Sequence, residues 1–122
     1  MAKILKIDIS KTKYSREYTR FYEAYNTLYF NGRLPKIKVR IGRLLDTNGN
    51  PTYGWTGFSP KNKRAVCIVL NQELKKWRCT HLITLLHEMC HVSLGMLEDD
   101  HGKIFLAETR RIIAEGALDD LL

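Results

Sequence analysis

The chain has 122 residues, enough for a single domain over residues 1–122 with a buried core and too few for two domains. Apolar residues make up 44% of it and charged residues 27%, so the composition argues against a disordered chain and against a membrane protein. The formal net charge is +7, and residues 1–97 hold 17 basic and six acidic groups, an excess that suits a polyanion such as nucleic acid or serves solubility alone.

The N-terminus carries a charged side chain at every second or third position, so it lacks the unbroken apolar stretch of a signal peptide. No later run approaches the roughly 20 apolar residues of a membrane span. Cys67, Cys79 and Cys90 are odd in number and form no C-x-x-C pair, which argues against a disulfide framework and a cysteine-rich zinc module. We therefore expect a cytoplasmic, intracellular protein with free thiols and no membrane partner. The sequence does not specify the oligomeric state, and a monomer is the default.

The first predicted element is a helix over residues 15–30. Large apolar side chains recur there at spacings of three and four residues, which gives the helix one apolar face. They are Tyr18, Phe21, Tyr22, Tyr25, Leu28 and Tyr29. This stripe is typical of core packing rather than of a ligand site. Asn31 and Gly32 end the helix, and Pro35 reinforces the break.

Three strands are predicted to follow. Residues 36–44 alternate apolar and basic side chains, residues 52–58 contain two glycines, and residues 64–70 are rich in valine and isoleucine. Turn residues at 46–50 and 59–62 separate these strands. We expect them to form a small antiparallel sheet of three to four strands.

Two helices account for the rest of the chain. The first covers residues 80–94, with Thr80 as its N-cap and Gly95 at its C-terminal end. The second covers residues 102–115 and has one apolar face. That face consists of Phe105, Leu106, Ile112 and Ile113, with Arg110 and Arg111 turned outward. The predicted fold class is therefore α+β, with an N-terminal helix, a small sheet and two C-terminal helices.

The first of these helices contains an H-E-x-x-H sequence formed by His87, Glu88 and His91. Residues four apart lie one turn apart on a helix, so both imidazoles can bind one ion at roughly 2.0 to 2.1 Å. Glu88 projects beside them, where it can act as the general base on a coordinated water. The helix is apolar around most of its circumference, so these polar groups need partners. Ordinary hydrogen bonds are the alternative to a metal.

A catalytic zinc usually takes three protein ligands and keeps a fourth position for water. His101 is the best third candidate, because it follows a loop that reverses the chain and immediately precedes Gly102 at the start of the last helix. It can instead cap that helix. The competing oxygen ligands are Glu98, Asp99 and Asp100. His81 lies about 240° around the helix from His87, so we do not expect it to bind the same ion. The sequence thus predicts one Zn²⁺.

Three stretches together resemble the SprT-like family, which includes the Spartan proteases. They are Asn31-Gly32-Arg33-Leu34-Pro35 before a strand, the H-E-x-x-H of residues 87–91, and Asp100-His101-Gly102-Lys103-Ile104-Phe105. The similarity extends from about Tyr18 to Ile113. It implies a zincin-like fold, one zinc held by His87, His91 and His101, and Glu88 as the catalytic base. Within this family, Spartan itself cleaves proteins crosslinked to DNA.

Zincins typically bind an extended peptide beside an edge strand, and residues 52–58 or 64–70 are candidates for that edge. Tyr53 and Trp55 are candidates to line the substrate groove, although aromatic strand residues also pack into cores. Two basic clusters are candidates for nucleic-acid contact, or they form a solvated charged face. The first consists of Lys61, Lys63 and Arg64, and the second of Lys75, Lys76, Trp77 and Arg78.

Two functions remain open on the sequence alone. The first is a zinc metallopeptidase that hydrolyses a protein or peptide substrate, with DNA-associated proteins as candidate substrates. The second is a non-catalytic, zinc-stabilised basic module that binds nucleic acid or protein, which the charge asymmetry favours. The two differ in whether Glu88 acts on a peptide bond.

Overall fold

The computed structural model describes residues 9–46, 48–59, 61, 64–73, 78–95, 101–119 and 121. Within these residues the chain forms three helices, α1 (Arg16–Tyr29), α2 (Arg78–Leu94) and α3 (Lys103–Ala114). It also forms four strands, β1 (Lys13–Tyr14), β2 (Lys38–Gly42), β3 (Gly54–Phe58) and β4 (Ala65–Asn71). A single 3₁₀ turn, Ile9–Lys11, precedes β1. The predicted α+β class is confirmed.

The four strands form one mixed sheet in the order β1-β2-β4-β3. β1 pairs with β2 and β3 pairs with β4 in antiparallel fashion, but β2 and β4 are parallel, with Lys38 opposite Cys67. The prediction of an antiparallel sheet is therefore wrong for this central pair. The reason is that the chain runs from β2 to β3, at the opposite edge of the sheet from β1. It then returns as β4, which lies between β2 and β3. The near-continuous apolar run of β4 is typical of such a central, parallel strand.

Helix α1 is capped at both ends, and of the two caps only the C-terminal one was predicted. Ser15 is the N-cap, and its side chain accepts a hydrogen bond from the backbone N–H of Tyr18 at 3.1 Å. Asn31 and Gly32 have φ values of 53° and 70°, the left-handed conformation that ends helices. Along the helix, Tyr18, Tyr22 and Tyr25 are buried in the core, as predicted for the aromatic stripe.

Helix α2 lies at the centre of the fold, in contact with α1, α3, β3 and β4. It begins at Arg78, two residues before the predicted cap at Thr80, and ends at Leu94 as predicted. Gly95 follows with φ 57°, a conformation that costs glycine little. Leu85, Leu86 and Met89 are completely or almost completely buried. The side chains of the H-E-x-x-H sequence are therefore presented by a core helix.

Helix α3 buries a narrower face than its sequence predicts. Phe105 and Ile112, seven residues apart, are buried as expected. Leu106 and Ile113 are 46% and 44% exposed, so the prediction that they belong to the buried face is wrong. One row of side chains spaced by two turns is enough for the contact of α3 with α2, its main helical neighbour.

Arg111 is also placed differently from its prediction. Its guanidinium turns toward the protein, where Nη1 donates to the backbone oxygen of Tyr29 at 2.8 Å and the group lies 5.3 Å from the ring centroid of Phe30. Glu108 and Glu115 accept hydrogen bonds from it at 2.7 Å each. Arg110, by contrast, is exposed as predicted. Carboxylates three and four residues away make the inward position favourable for Arg111.

The state of the cysteines agrees with the sequence prediction. Cys67, Cys79 and Cys90 are all free thiols, as predicted. In the part of the chain that the structure describes, no helix is long and apolar enough to cross a membrane.

Candidate metal centre

Three imidazoles converge at one end of α2. His87 and His91 project from consecutive turns of this helix. His101 directly precedes Gly102, the N-cap of α3, and its side chain reaches the other two. The Nε2 atom of His87 lies 3.3 Å from that of His91 and 3.2 Å from that of His101. The third side of the triangle, from His91 to His101, is 3.0 Å. The structure thus brings together all three residues that the sequence predicts as ligands, and this cluster can hold a metal ion.

Hydrogen bonding alone does not account for this triangle. An imidazole nitrogen either carries a proton and donates, or lacks one and accepts. Among three Nε2 atoms in mutual contact, at least two must therefore be of the same kind and repel each other. A cation facing three lone pairs removes this conflict. A tetrahedral ion at 2.0 to 2.1 Å separates its ligand atoms by about 3.3 Å, close to the distances observed.

The protonation state of His87 also favours metal binding. Burial, together with the smaller effect of the charges of His91 and His101, lowers the pKa of this side chain from its ordinary value to about 4. His87 is therefore neutral at physiological pH. Neutral imidazole is the form that ligates a metal.

Phe105 supports all three rings. Its ring centroid lies 4.8 Å from that of His87, 4.5 Å from that of His91 and 4.8 Å from that of His101. Because Phe105 is buried on the first turn of α3, its contacts restrict the orientations of the three imidazoles. This explains the H-G-x-x-F spacing, in which the histidine and the phenylalanine act on one site from either side of the N-cap.

His101 has an unusual backbone. Its φ of 72° lies in the left-handed region, which residues with a Cβ seldom adopt and which costs them on the order of 1 kcal/mol. Strained backbone of this kind concentrates at functional sites, where surrounding structure maintains it. The strain accompanies the approach of the His101 imidazole to α2, which a simple helix cap does not require.

Glu88 is buried, with 5% of its surface exposed, next to the histidine cluster. Its Oε1 accepts a hydrogen bond of 2.7 Å from the hydroxyl of Thr56 on β3. Gly54, on the same face of β3, lies so close to α2 that a Cβ there would be 3.1 Å from Oε2 of Glu88. Sequence reasoning missed Thr56 and Gly54. The signal that could have found them is a glycine inside a strand, which often marks the close approach of another element.

A groove of about 730 Å³ runs between β3 and α2 and contains the histidine cluster and Glu88. Tyr53 and Trp55 line it, as the sequence allowed. Tyr53 is 65% exposed and Trp55 is half-buried, so neither is an ordinary core residue. Among the described residues, β3 forms one edge of the sheet, whereas β4 pairs on both sides. Residues 52–58 are thus the edge candidate that fits, and the alternative of residues 64–70 is wrong.

His81 lies outside the cluster, as predicted. It is completely buried, and its Nδ1 and Nε2 are each 2.9 Å from a partner, the hydroxyl of Tyr18 and the backbone oxygen of Asn71. Its role is structural. Glu98, Asp99 and Asp100, the competing oxygen ligands, lie outside the described residues.

The basic clusters are described only in part. Lys61 and Arg64 are exposed, which permits contact with a polyanion. Arg78 is the first residue of α2, and its side chain lies outside the described part of the chain. The remaining members, Lys63, Lys75, Lys76 and Trp77, also lie outside it. Nucleic-acid contact through these residues stays a prediction.

Comparison with known proteins supports the resemblance seen in the motifs. The model of the SprT-like family matches residues 18–119, a range that includes most of α1, the sheet strands β2 to β4, the H-E-x-x-H sequence and His101. No significant match is found among curated proteins or among solved structures. Membership of this family is consistent with a metallopeptidase-like domain. Since the match covers most of the chain, the protein belongs to the SprT-like family.

Proposed function

We propose that this protein is a zinc-dependent metallopeptidase that hydrolyses peptide bonds in protein substrates. One observation carries the proposal: three Nε2 atoms lie within 3.3 Å of one another in the same groove as a buried glutamate, beside an edge strand. Each of these parts has a role in hydrolysis. A structural metal site needs neither the glutamate nor the groove.

His87, His91 and His101 would hold the metal. Three neutral imidazoles are a donor set typical of catalytic zinc, which leaves a fourth position for water. When bound, zinc lowers the pKa of a coordinated water toward about 7 and polarises the scissile carbonyl. The three side chains are each partly open to the groove, so substrate can approach them.

Glu88 is the general base in this proposal. It lies next to His87 in sequence and faces the same groove, so its carboxylate can take a proton from the attacking water. The same carboxyl group then passes the proton to the leaving amine. Its burial limits competition from bulk solvent.

β3 supplies the substrate site. An extended peptide added to the free edge of this strand forms backbone hydrogen bonds with it and crosses the groove above α2. Tyr53 and Trp55 are placed to contact the substrate side chains. The net charge of +7 favours substrates that are themselves associated with a polyanion such as DNA.

The test compares the wild type with Glu88→Gln. The amide has the shape of the carboxylate but cannot accept a proton, so we expect both proteins to hold about one zinc per chain while cleavage falls by about 100-fold to 10,000-fold. Zinc is measured by mass spectrometry and cleavage on a library of quenched fluorescent peptides and on an unfolded protein. Glu23→Gln, an exposed change on α1, is the matched control and should cleave like the wild type.

Three results would decide against the proposal or its parts. Equal cleavage by wild type and Glu88→Gln would remove Glu88 as the base. Cleavage that survives complete zinc chelation would remove the metal from the mechanism. A wild type that holds zinc, unfolds on chelation and cuts no substrate would support the non-catalytic, zinc-stabilised binding module instead.

A further inference from the structure

We propose that Thr56 is a positioning residue for Glu88, and that Gly54 makes this possible by letting β3 approach α2. The inference rests on the proposed function, since it concerns how the general base is held. It assigns to β3 a second role besides substrate binding.

The contact between Thr56 and Glu88 is short and directional. The Thr56 hydroxyl donates to Oε1 of Glu88 at 2.7 Å, and it lies 3.4 Å from the backbone oxygen of the same residue. A hydroxyl bonded to a carboxylate is a charge-assisted hydrogen bond, stronger than one between neutral groups. Because Glu88 is buried, solvent competes little for this bond. The bond therefore fixes one of the two carboxylate oxygens.

Gly54 leaves the space that the second carboxylate oxygen, Oε2, occupies. A Cβ at this position would lie 3.1 Å from Oε2 of Glu88 and 3.2 Å from its Cγ. It would also lie 2.7 Å from Cγ2 of Thr84, a distance that real side chains do not tolerate. Glycine is thus required for the observed approach of strand and helix. From the β3 side, Thr56 therefore holds Oε1, and Gly54 leaves room for Oε2.

The spacing of the two residues follows from strand geometry. Side chains alternate between the faces of a strand, so positions 54 and 56 face α2 together. The ring of the intervening residue, Trp55, lies over Gly57, two positions further along the strand. The G-x-T pattern of β3 therefore places a small residue and a hydroxyl donor against the helix that carries the base.

This arrangement predicts a specific kinetic effect. A misaligned base impairs proton transfer in the transition state but leaves the backbone pairing of the substrate intact. Loss of the Thr56 hydroxyl should therefore lower kcat and leave KM nearly unchanged. A purely structural role would instead affect folding, metal content and KM together.

The experiment compares Thr56→Val, Thr56→Ser and Thr27→Val. Valine keeps the shape of threonine but removes the hydroxyl, serine keeps the hydroxyl, and Thr27 is an exposed matched control on α1. We expect Thr56→Val to lower kcat by about 10-fold to 100-fold at constant zinc content, as other losses of outer support do. Thr56→Ser should recover most of this loss, and Thr27→Val should behave like the wild type.

Crystal structures of the zinc-loaded variants give a readout independent of activity. The Glu88 carboxylate should occupy one position in the wild type and in Thr56→Ser, and should move or become disordered in Thr56→Val. An unmoved carboxylate in Thr56→Val, full kcat in that variant, or equal losses in the serine and valine variants would overturn the proposal. A zinc-loaded wild type without cleavage would contradict the proposed function alone, and the crystal structures would then still decide whether Thr56 holds Glu88.

Discussion

Helix α2 places two histidines, six residues apart, in opposite chemical environments. His81 is completely buried, and each of its ring nitrogens has a complementary partner. The backbone oxygen of Asn71 only accepts, so Nε2 of His81 carries the proton, and Nδ1 then accepts from the hydroxyl of Tyr18. Nε2 of His87 instead faces two other Nε2 atoms, which cannot all be complementary. The identity of the partners, rather than burial, therefore distinguishes a structural histidine from a candidate ligand.

This difference predicts that the two kinds of site fail in different ways. A metal ligand contributes to ion affinity, and its loss leaves a hydrophilic, partly open position that water can fill. A core histidine contributes to folding, and its loss leaves buried polar groups without their partner. The following changes test the contrast.

The largest effect is expected for His101→Ala. Two imidazoles remain, and zinc affinity should fall on the order of 1,000-fold, because binding free energies of about 10–16 kcal/mol at structural sites are shared among only a few ligands. The fold should persist, since His101 is exposed. Isothermal titration with zinc and circular dichroism measure the two properties. Unchanged affinity would mean that His101 is not a ligand and that another group completes the site.

Phe105→Ala should act on both properties at once. The change removes a buried ring that touches all three imidazoles, so the free energy of unfolding should fall by about 3 kcal/mol. Zinc affinity should also fall by about 10-fold, because the rings lose their support. Phe105→Leu, which keeps most of the volume, should cost about 1 kcal/mol. Urea unfolding of the metal-free and zinc-loaded proteins separates the two effects. Equal losses of stability in both forms would show that Phe105 supports the fold alone.

His81→Phe should show the reverse of His101→Ala. The variant removes both hydrogen bonds of His81, and we expect about 2 kcal/mol of destabilisation in urea unfolding with unchanged zinc affinity in the folded state. His81→Gln can restore one of the two bonds and should lose less. A lower zinc affinity in His81→Phe at full folding would show that the two histidine environments are coupled through α2.

The sequence predicted those parts of the site that depend on local geometry. The spacing of His87 and His91 fixes their common face on a helix, and Gly32 and Gly95 mark helix ends through their backbone freedom. The order of the strands was not predictable in this way, because alternation identifies a strand but not its neighbours. The bond between Thr56 and Glu88 joins residues 32 positions apart, on a strand and a helix whose packing no local pattern specifies.

The inward position of Arg111 was missed for a related reason. Helical periodicity placed it on the polar side of α3, which is correct for a helix considered alone. The tertiary contact with the end of α1, where the Tyr29 carbonyl and the Phe30 ring lie, makes that side an interface. Only the packing of the two helices reveals it.

The smallest effect concerns the ion pair between Glu108 and Arg111 on α3. Ser93, near the C-terminal end of α2, also donates a hydrogen bond to Glu108. Burial alone would raise the pKa of Glu108, but hydrogen bonds from Arg111 and Ser93 outweigh it and hold that pKa below its ordinary value. A carboxylate with a lowered pKa stabilises the fold above its unfolded pKa of about 4.3, and this stability is lost as the pH falls through the folded pKa.

Arg111→Met should therefore lose about 1 kcal/mol at pH 7, a modest value because the Arg111 side chain is 36% exposed and solvent screens the pair. The loss should shrink as the pH falls, because protonation of Glu108 removes the charge that Arg111 pairs with. Urea unfolding at pH 7, 5, 4 and 3 measures it, with the exposed Arg110→Met as the matched control. A difference that stayed constant across this range would mean that Arg111 acts through its contacts with Tyr29 and Phe30. In that case these contacts with the end of α1, rather than the ion pair with Glu108, would account for the contribution of Arg111 to stability.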